Sequence, residues 1–248
     1  MVNRSLDTDI SRWIRDKIPT LNNRSKYRAD NALRFLSWAE EFKTAAPPVA
    51  SFCTIHAVEE AVAAFISAAK SFGHTDRAKT INIHDHLSKA LVSIFASRAS
   101  LAVSRGSLAI AVHPDKDSLA YRLPKADGFI YDRLHLSAFQ VEFDADTDVS
   151  SYEFLGHVPL LEEIDAEVKK VTAARNGVLY ASDKGSPVGF LDIETEIGRA
   201  TGLTFGLIWG SIDLHRDPAQ GGTFVQMMMD KMIEINTTRQ NLKKSNTK

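Results

Sequence analysis

A chain of 248 residues, 44% of them hydrophobic, has enough apolar volume for one sizeable core, so disordered and fibrous classes are set aside. Its 30 Lys and Arg nearly balance its 31 Asp and Glu, which excludes the global positive field that draws a protein non-specifically onto nucleic acid and leaves room only for a local anion site. The single cysteine, Cys53, excludes an internal disulfide and a Cys-based zinc centre, and suits a reducing compartment as a small core residue.

The stretch from Met1 to Asp16 is charged throughout and carries no apolar signal core. The longest apolar run, Leu203 to Ile212, is well short of the roughly 20 residues that span a bilayer, so a cytosolic protein that does not cross a membrane is expected. Ile10, Trp13, Ile14 and Ile18 follow helical spacing until Pro19 ends the run. A second helix starts near Lys26 and carries Ala29, Leu33, Leu36, Trp38, Ala39 and Phe42 up to the Ala45-Ala46-Pro47-Pro48 break. The third, Pro48 to Ser71, opens on proline and bears Ile55, Val58, Val62, Phe65 and Ala69 as an apolar stripe. After Gly73, Thr75 or Asp76 can cap a fourth helix in which Ile83, Leu87, Leu91 and Ile94 repeat at three and four residues. The short breaks between these helices predict an antiparallel bundle.

The period changes after Gly106. Leu108, Ile110 and Val112 alternate, His113 to Asp117 reads as a turn, and Leu119, Tyr121 and Leu123 alternate again, which predicts a hairpin; Phe139, Val141 and Phe143 predict another strand. Helical spacing returns near Pro159 with Leu161, Ile164, Val168 and Val171, and Asn176-Gly177 is expected to end it. Val178-Leu179-Tyr180 and Val188-Gly189-Phe190 then flank Ser182 to Pro187 as a second short hairpin. Gly198, Gly202, Gly206 and Gly210 recur every four residues. On a helix they form one bare ridge, and at roughly 0.8–1 kcal/mol per glycine against alanine such a helix needs close packing against another backbone. A strand with Leu203, Phe205, Leu207 and Trp209 on one face competes with that preferred helix. A last helix runs from Thr223 to about Thr238 with Val225, Met228, Met232 and Ile235 inward and Met227 to Met229 as gap-filling core, before a polar, frayed tail.

Chemistry has few places to sit. The third helix holds His56, Glu59 and Glu60 within one turn, where a histidine and a carboxylate three or four residues on can share a metal or a proton; a solvated Glu beside a hydrogen-bonded His has the same spacing. The fourth helix offers Arg77, His84, Asp85, His86 and Lys89. His84 lies three and seven residues before Leu87 and Leu91, which turns it toward the packed side, whereas His86 aligns with Ser93 and Ser97 as a surface residue. In one chemistry Arg77 holds an RNA phosphate while His84 serves as acid and base, with the 2′-hydroxyl as nucleophile and no metal. In the other, His56 and His84-Asp85 ligate a divalent metal, which needs a further distant ligand such as Asp165 that no spacing identifies.

From the second helix to the fourth, Ala32-Leu33-Arg34-Phe35-Leu36, His56-Ala-Val-Glu-Glu-Ala61 and His84 with Lys89, together with Arg175-Asn-Gly-Val-Leu-Tyr-Ala-Ser-Asp183, the chain resembles the HEPN (higher eukaryote and prokaryote nucleotide-binding) domains. Among these it is most similar to the AbiV-type abortive-infection proteins of bacterial phage defence, over roughly half the chain. The resemblance implies a helical bundle, often a homodimer, acting on RNA by cleavage or binding, with no cofactor or metal expected. Joined to the periodicity it gives a mainly α, antiparallel helical bundle with a small β-hairpin insertion in one domain over 1–248: an HEPN-like helical core at 26–100, a β insertion at 107–145, C-terminal helices at 152–238 and a frayed tail at 239–248. Arg77 and His84 take the catalytic places, with His56, Glu59 and Glu60 in support. The polar residue that usually follows the arginine is Ala78 here, so a non-enzymatic, toxin-like or regulatory protein docking a protein partner, an antitoxin or a phage protein, stands beside the ribonuclease. A second alternative is the HD-type metal phosphohydrolases, which His56 and His84-Asp85 resemble in spacing, although Lys89 follows Asp85 by four residues where that family has three.

Overall fold

The computed structural model describes residues 7–86, 88–90, 92–94, 109–134, 141–143, 150–152, 161–179, 185, 192–218, 226, 229–230, 233–234 and 237–238. These residues are mainly helical, with a small antiparallel sheet at one side. Helix α1 (Asp9–Lys17) starts at a capping box in which Thr8 accepts the Ser11 N–H and Ser11 Oγ accepts the Thr8 N–H. It passes through a 3-10 turn at Ile18–Thr20 into α2 (Asn23–Phe42), capped by the Asn22 side chain.

Helix α3 (Pro47–Ser71) is the axis of the bundle, packed along α2 and α7 (Ile193–Arg216) and touching α6 (Leu161–Leu179). From Ala61 to Ala69 every side chain is buried, so the one-sided stripe expected from the sequence is in fact an apolar surface all round. Its alanines let two neighbouring helices approach closely. By length and composition α3 resembles a membrane-spanning helix, but its apolar surface is spent on the core shared with α2, α7 and the sheet.

The helix expected from Thr75 onward is two pieces. Helix α4 (Thr75–Ala78) is a single turn. The chain then bends at Asn82, whose Oδ1 accepts the His84 N–H at 3.0 Å and whose carbonyl accepts the Asp85 N–H at 3.0 Å. Asp85 caps a new helix, α5, with described residues 86, 88–90 and 92–94: its Oδ2 accepts the Ser88 N–H at 3.1 Å and the Ser88 hydroxyl at 2.9 Å.

Strands β1 (Ala109–Val112), β2 (Leu119–Lys125) and β3 (Gly128–Arg133) form a meander, with Val112 opposite Leu119 and Lys125 opposite Gly128. Strands β4 (Val141–Phe143) and β5 (Ser150–Tyr152) pair separately. The hairpin and the strand at 141–143 match the period-two reading; β3 and β5 carry no such signal, and Phe129 of β3 points to solvent. Gly128 at φ +137° makes the tight β2–β3 turn. Leu119, Tyr121 and Leu123 enter the same hydrophobic cluster as α3 and α7, so the sheet shares the bundle's core. Asp117 fastens the β1–β2 loop to α1, accepting from Trp13 Nε1 at 2.9 Å and Lys17 Nζ at 2.6 Å.

Helix α6 (Leu161–Leu179) continues through Asn176-Gly177, where a turn was expected, and residues 178–179 are helical rather than extended. Burial of Val178 offsets the glycine's cost, roughly 1 kcal/mol. The rest of that expected hairpin, apart from Gly185, lies outside the described residues, as do Leu108, Phe139, Pro159, most of the C-terminal apolar positions and the tail from Arg239. Helix α7 (Ile193–Arg216), capped by Asp192, resolves the glycine-rich segment as helix. Gly210 is buried. The ridge is not packed as expected at Gly198, Gly202 and Gly206, where a Cβ would meet no heavy atom within 4 Å among the described residues.

Candidate acid–base site

Consecutive residues on a helix point about 100° apart, so Glu59 and Glu60 of α3 serve different neighbours. Glu60 faces α2, where the Arg28 guanidinium donates to both its oxygens at 2.7 and 2.9 Å. That is a helix-to-helix tie, and it takes Glu60 out of the supporting role expected for it. Glu59 points the other way, between α5 and α6, with its side chain only 10% exposed.

Four side chains converge on that carboxylate. His86, in the first turn of α5, places Nδ1 2.8 Å from Glu59 Oε1. Arg175 of α6 puts Nε 3.4 Å from the same oxygen and Nη2 3.2 Å from His86 Nε2. Lys89, one turn beyond His86, holds Nζ 3.9 Å from Oε2, beyond hydrogen-bond reach but within ion-pair range. His56, one turn before Glu59, has Nδ1 3.5 Å from Oε2.

The two contacts at His86 suit a ring that donates from Nδ1 to the Glu59 carboxylate and accepts at Nε2 from the Arg175 guanidinium. The carboxylate thus orients the imidazole, on a ring that is 47% exposed. His56 is a different kind of histidine. Its ring stacks on Phe35 at 5.3 Å and lies 4.1 Å from Phe52. Burial holds its pKa below the ordinary value; the Glu59 charge opposes that, and Arg175, Lys89 and His86 add to it.

Glu59 contributes one negative charge; Lys89 and Arg175 contribute two positive ones. With both histidines neutral the cluster is still net positive, which favours an anion and disfavours a divalent cation. Among the described residues no group of three or more His, Cys, Asp or Glu is arranged to hold a metal. Two buried polar atoms, Glu59 Oε2 and Arg175 Nε, have no hydrogen-bond partner among the described residues, so the site has bonding capacity left there.

The residues expected to be catalytic lie elsewhere. Arg77 Nε donates to Asp230 Oδ1 at 2.7 Å in a surface pair that ties α4 to the C-terminal helical residues. His84 is exposed in the turn before α5. Among the described residues no contact joins either to the other or to Glu59. Asp85, offered as a metal ligand, is engaged in capping α5, and the side chain of Asp165 lies outside the described residues.

Of the expected set, the structure brings His56 and Glu59 together. His84, expected on the packed side, is exposed; His86, expected at the surface, is exposed and also reaches Glu59, because a helix continued from Thr75 turns His84 inward whereas one restarted at Asp85 turns His86 toward that carboxylate. Asp85 followed by Ser88 is a capping signature that marks the restart. Arg175 was visible as part of a motif but not as a partner of Glu59. Comparison with family models, with curated proteins and with solved structures returns no match to this chain.

Proposed function

We propose that Glu59, His86, Lys89 and Arg175 form a metal-free acid–base centre that acts on the phosphodiester backbone of RNA. The observation that carries this reading is the geometry at His86: Nδ1 held by a buried carboxylate at 2.8 Å, and Nε2 facing a guanidinium at 3.2 Å. An arginine and a histidine at one phosphate are what the HEPN resemblance implies, with Arg175 and His86 in the places first expected for Arg77 and His84.

The chemistry follows from the donors present. A phosphate at the site draws the Arg175 guanidinium from Nε2 onto its non-bridging oxygens, where a planar fork binds two oxygens at once. That frees Nε2 to take the proton of the ribose 2′-hydroxyl. The 2′-oxygen forms its bond to phosphorus and the bond to the 5′-oxygen breaks, giving a 2′,3′-cyclic phosphate and a 5′-hydroxyl end. The leaving oxygen is protonated by water, and His86 later returns its proton to solvent. Glu59 stabilises the transient imidazolium, and Lys89 and Arg175 offset the charge that builds on phosphorus. Such an activity, in the cytosol, suits a toxin-like response to phage, as the resemblance implies.

The test is cleavage of a fluorophore–quencher single-stranded RNA in excess EDTA. Cleavage is expected with the wild-type chain and lost both with His86→Ala and with a substrate carrying 2′-deoxyribose at the cut. Undiminished cleavage by His86→Ala overturns the assignment. RNA held but never cut by the wild-type chain, with affinity lost on Arg175→Ala, assigns the same residues to binding alone.

A further inference from the structure

Beside the phosphate chemistry lies an aromatic step that it does not use. His56 touches Glu59 on one side and Phe35 and Phe52 on the other, and Phe35 meets Trp38 edge-on at 5.3 Å. Trp38 is 38% exposed, one of few large apolar side chains left at the surface among the described residues. The sequence runs Trp38, Phe35, His56, Glu59 in space, from solvent to the buried carboxylate, each touching the next.

We infer that Trp38 is a nucleobase-stacking platform beside the acid–base centre, and that the substrate is single-stranded RNA. This rests on the function proposed above and names what that site grips besides phosphate. A nucleobase offers a flat π-face that stacks on an aromatic ring whatever its sequence, and it offers that face only when unpaired. The exposed face of α2 extends the platform. Tyr27, Arg34 and Trp38 are spaced seven and four residues apart, on one helical face, all exposed. Tyr27 and Trp38 are eleven residues apart, about 16 Å along the axis, room for two or three extended nucleotides with a guanidinium between the two rings.

The probe is a 2′-O-methyl single-stranded decamer, which binds but lacks the attacking hydroxyl, compared with the same decamer made abasic at successive positions. Trp38→Ala is expected to weaken binding of the intact decamer roughly tenfold, the order of one lost base–aromatic stack, and to leave inorganic phosphate affinity unchanged. Trp38→Phe is expected to restore most of the loss. In the wild-type chain one abasic position reproduces the loss, and in Trp38→Ala that position no longer matters. A Trp38→Ala chain that still discriminates intact from abasic decamer as the wild type does overturns the platform. If His86-dependent cleavage persists in that case, the acid–base reading survives it. Equal affinity for the duplex form of the decamer also overturns the platform, and so does a wild-type chain that binds no decamer at all.

Discussion

His86 Nδ1 lies 2.8 Å from Glu59 Oε1, and the two residues are 27 positions apart in the chain, on helices separated by a turn at Asn82. The contact joins α3, the axis of the bundle, to a helix whose start is set by one capping aspartate. Site geometry therefore depends on local backbone chemistry at Asp85 as much as on the core.

Replacing Glu59 separates orientation from charge balance. Glu59→Gln keeps an oxygen that accepts from His86 Nδ1 but removes the charge that stabilises the imidazolium, so cleavage is expected to fall by on the order of 10²-fold, the lower end for a general acid–base group. Glu59→Ala leaves Lys89 and Arg175, 9% and 15% exposed, without their counter-charge, and is expected to cost about 3–5 kcal/mol of stability. Denaturant titration of both variants, read beside the RNA cleavage rate, checks this. A Glu59→Gln chain that cleaves at the wild-type rate removes the carboxylate from the mechanism.

Arg175 is expected to resist conservative replacement. Lysine keeps the charge but not the planar fork that meets a carboxylate, an imidazole nitrogen and a phosphate from one head group. Arg175→Lys is expected to lose most of the activity while shifting the melting temperature little. Equal activity in the two chains would show that a point charge is enough.

Arg77 and His84 supply the complementary control. His84 is exposed and the Arg77 side chain is 40% exposed, and the Arg77–Asp230 pair is of the surface kind that contributes about 0–1 kcal/mol. Arg77→Ala and His84→Ala are each expected to retain full cleavage. Loss of activity in either, with the fold intact by circular dichroism, would return the site to the turn before α5.

Those two residues also show where sequence reasoning reaches its limit here. The bundle was legible because Pro48 and the apolar repeats of α2 and α3 act within a turn or two of themselves. Glu59 and His56 were legible because they share one helix turn. His86 was not, since its direction depends on a helix break that leaves the apolar period of Ile83 and Ile94 undisturbed. Nor could Arg175 be paired with Glu59, because no local rule joins residues 116 apart, from 59 to 175. The run through Asn176-Gly177 misled for a related reason: a turn signal yields where continued helix buries Val178.

Acid is expected to loosen the fold through two histidines. His74 is buried with neither ring nitrogen hydrogen-bonded among the described residues, and its pKa lies below the ordinary 6.5 because of burial first and nearby Arg77 second. His56 is depressed as well, mainly by burial. A histidine whose folded pKa is lowered binds fewer protons folded than unfolded, so its contribution is whole above pH 6.5 and is lost as pH falls from 6.5 toward the folded value. Melting temperature should therefore drop between pH 7.5 and pH 5, and His74→Phe should flatten the drop. A variant with the wild-type pH profile would clear His74 of the effect.

The glycine ridge of α7 makes the last expectation, and its sign carries the information. Gly198, Gly202 and Gly206 lie in a helix interior with open space at each Cβ position among the described residues, so alanine there keeps helical φ and ψ and reduces the entropy of the unfolded chain. Gly202→Ala and Gly206→Ala are each expected to stabilise by about 0.5–1 kcal/mol, measured as a rise in melting temperature. Buried Ile197, Ala200 and Leu207 hold the opposite side of the helix, so the substitutions leave that part of the core untouched. A fall in melting temperature would mean that the added methyl meets something after all, and that the ridge is packed in solution, as four glycines at this spacing first suggested.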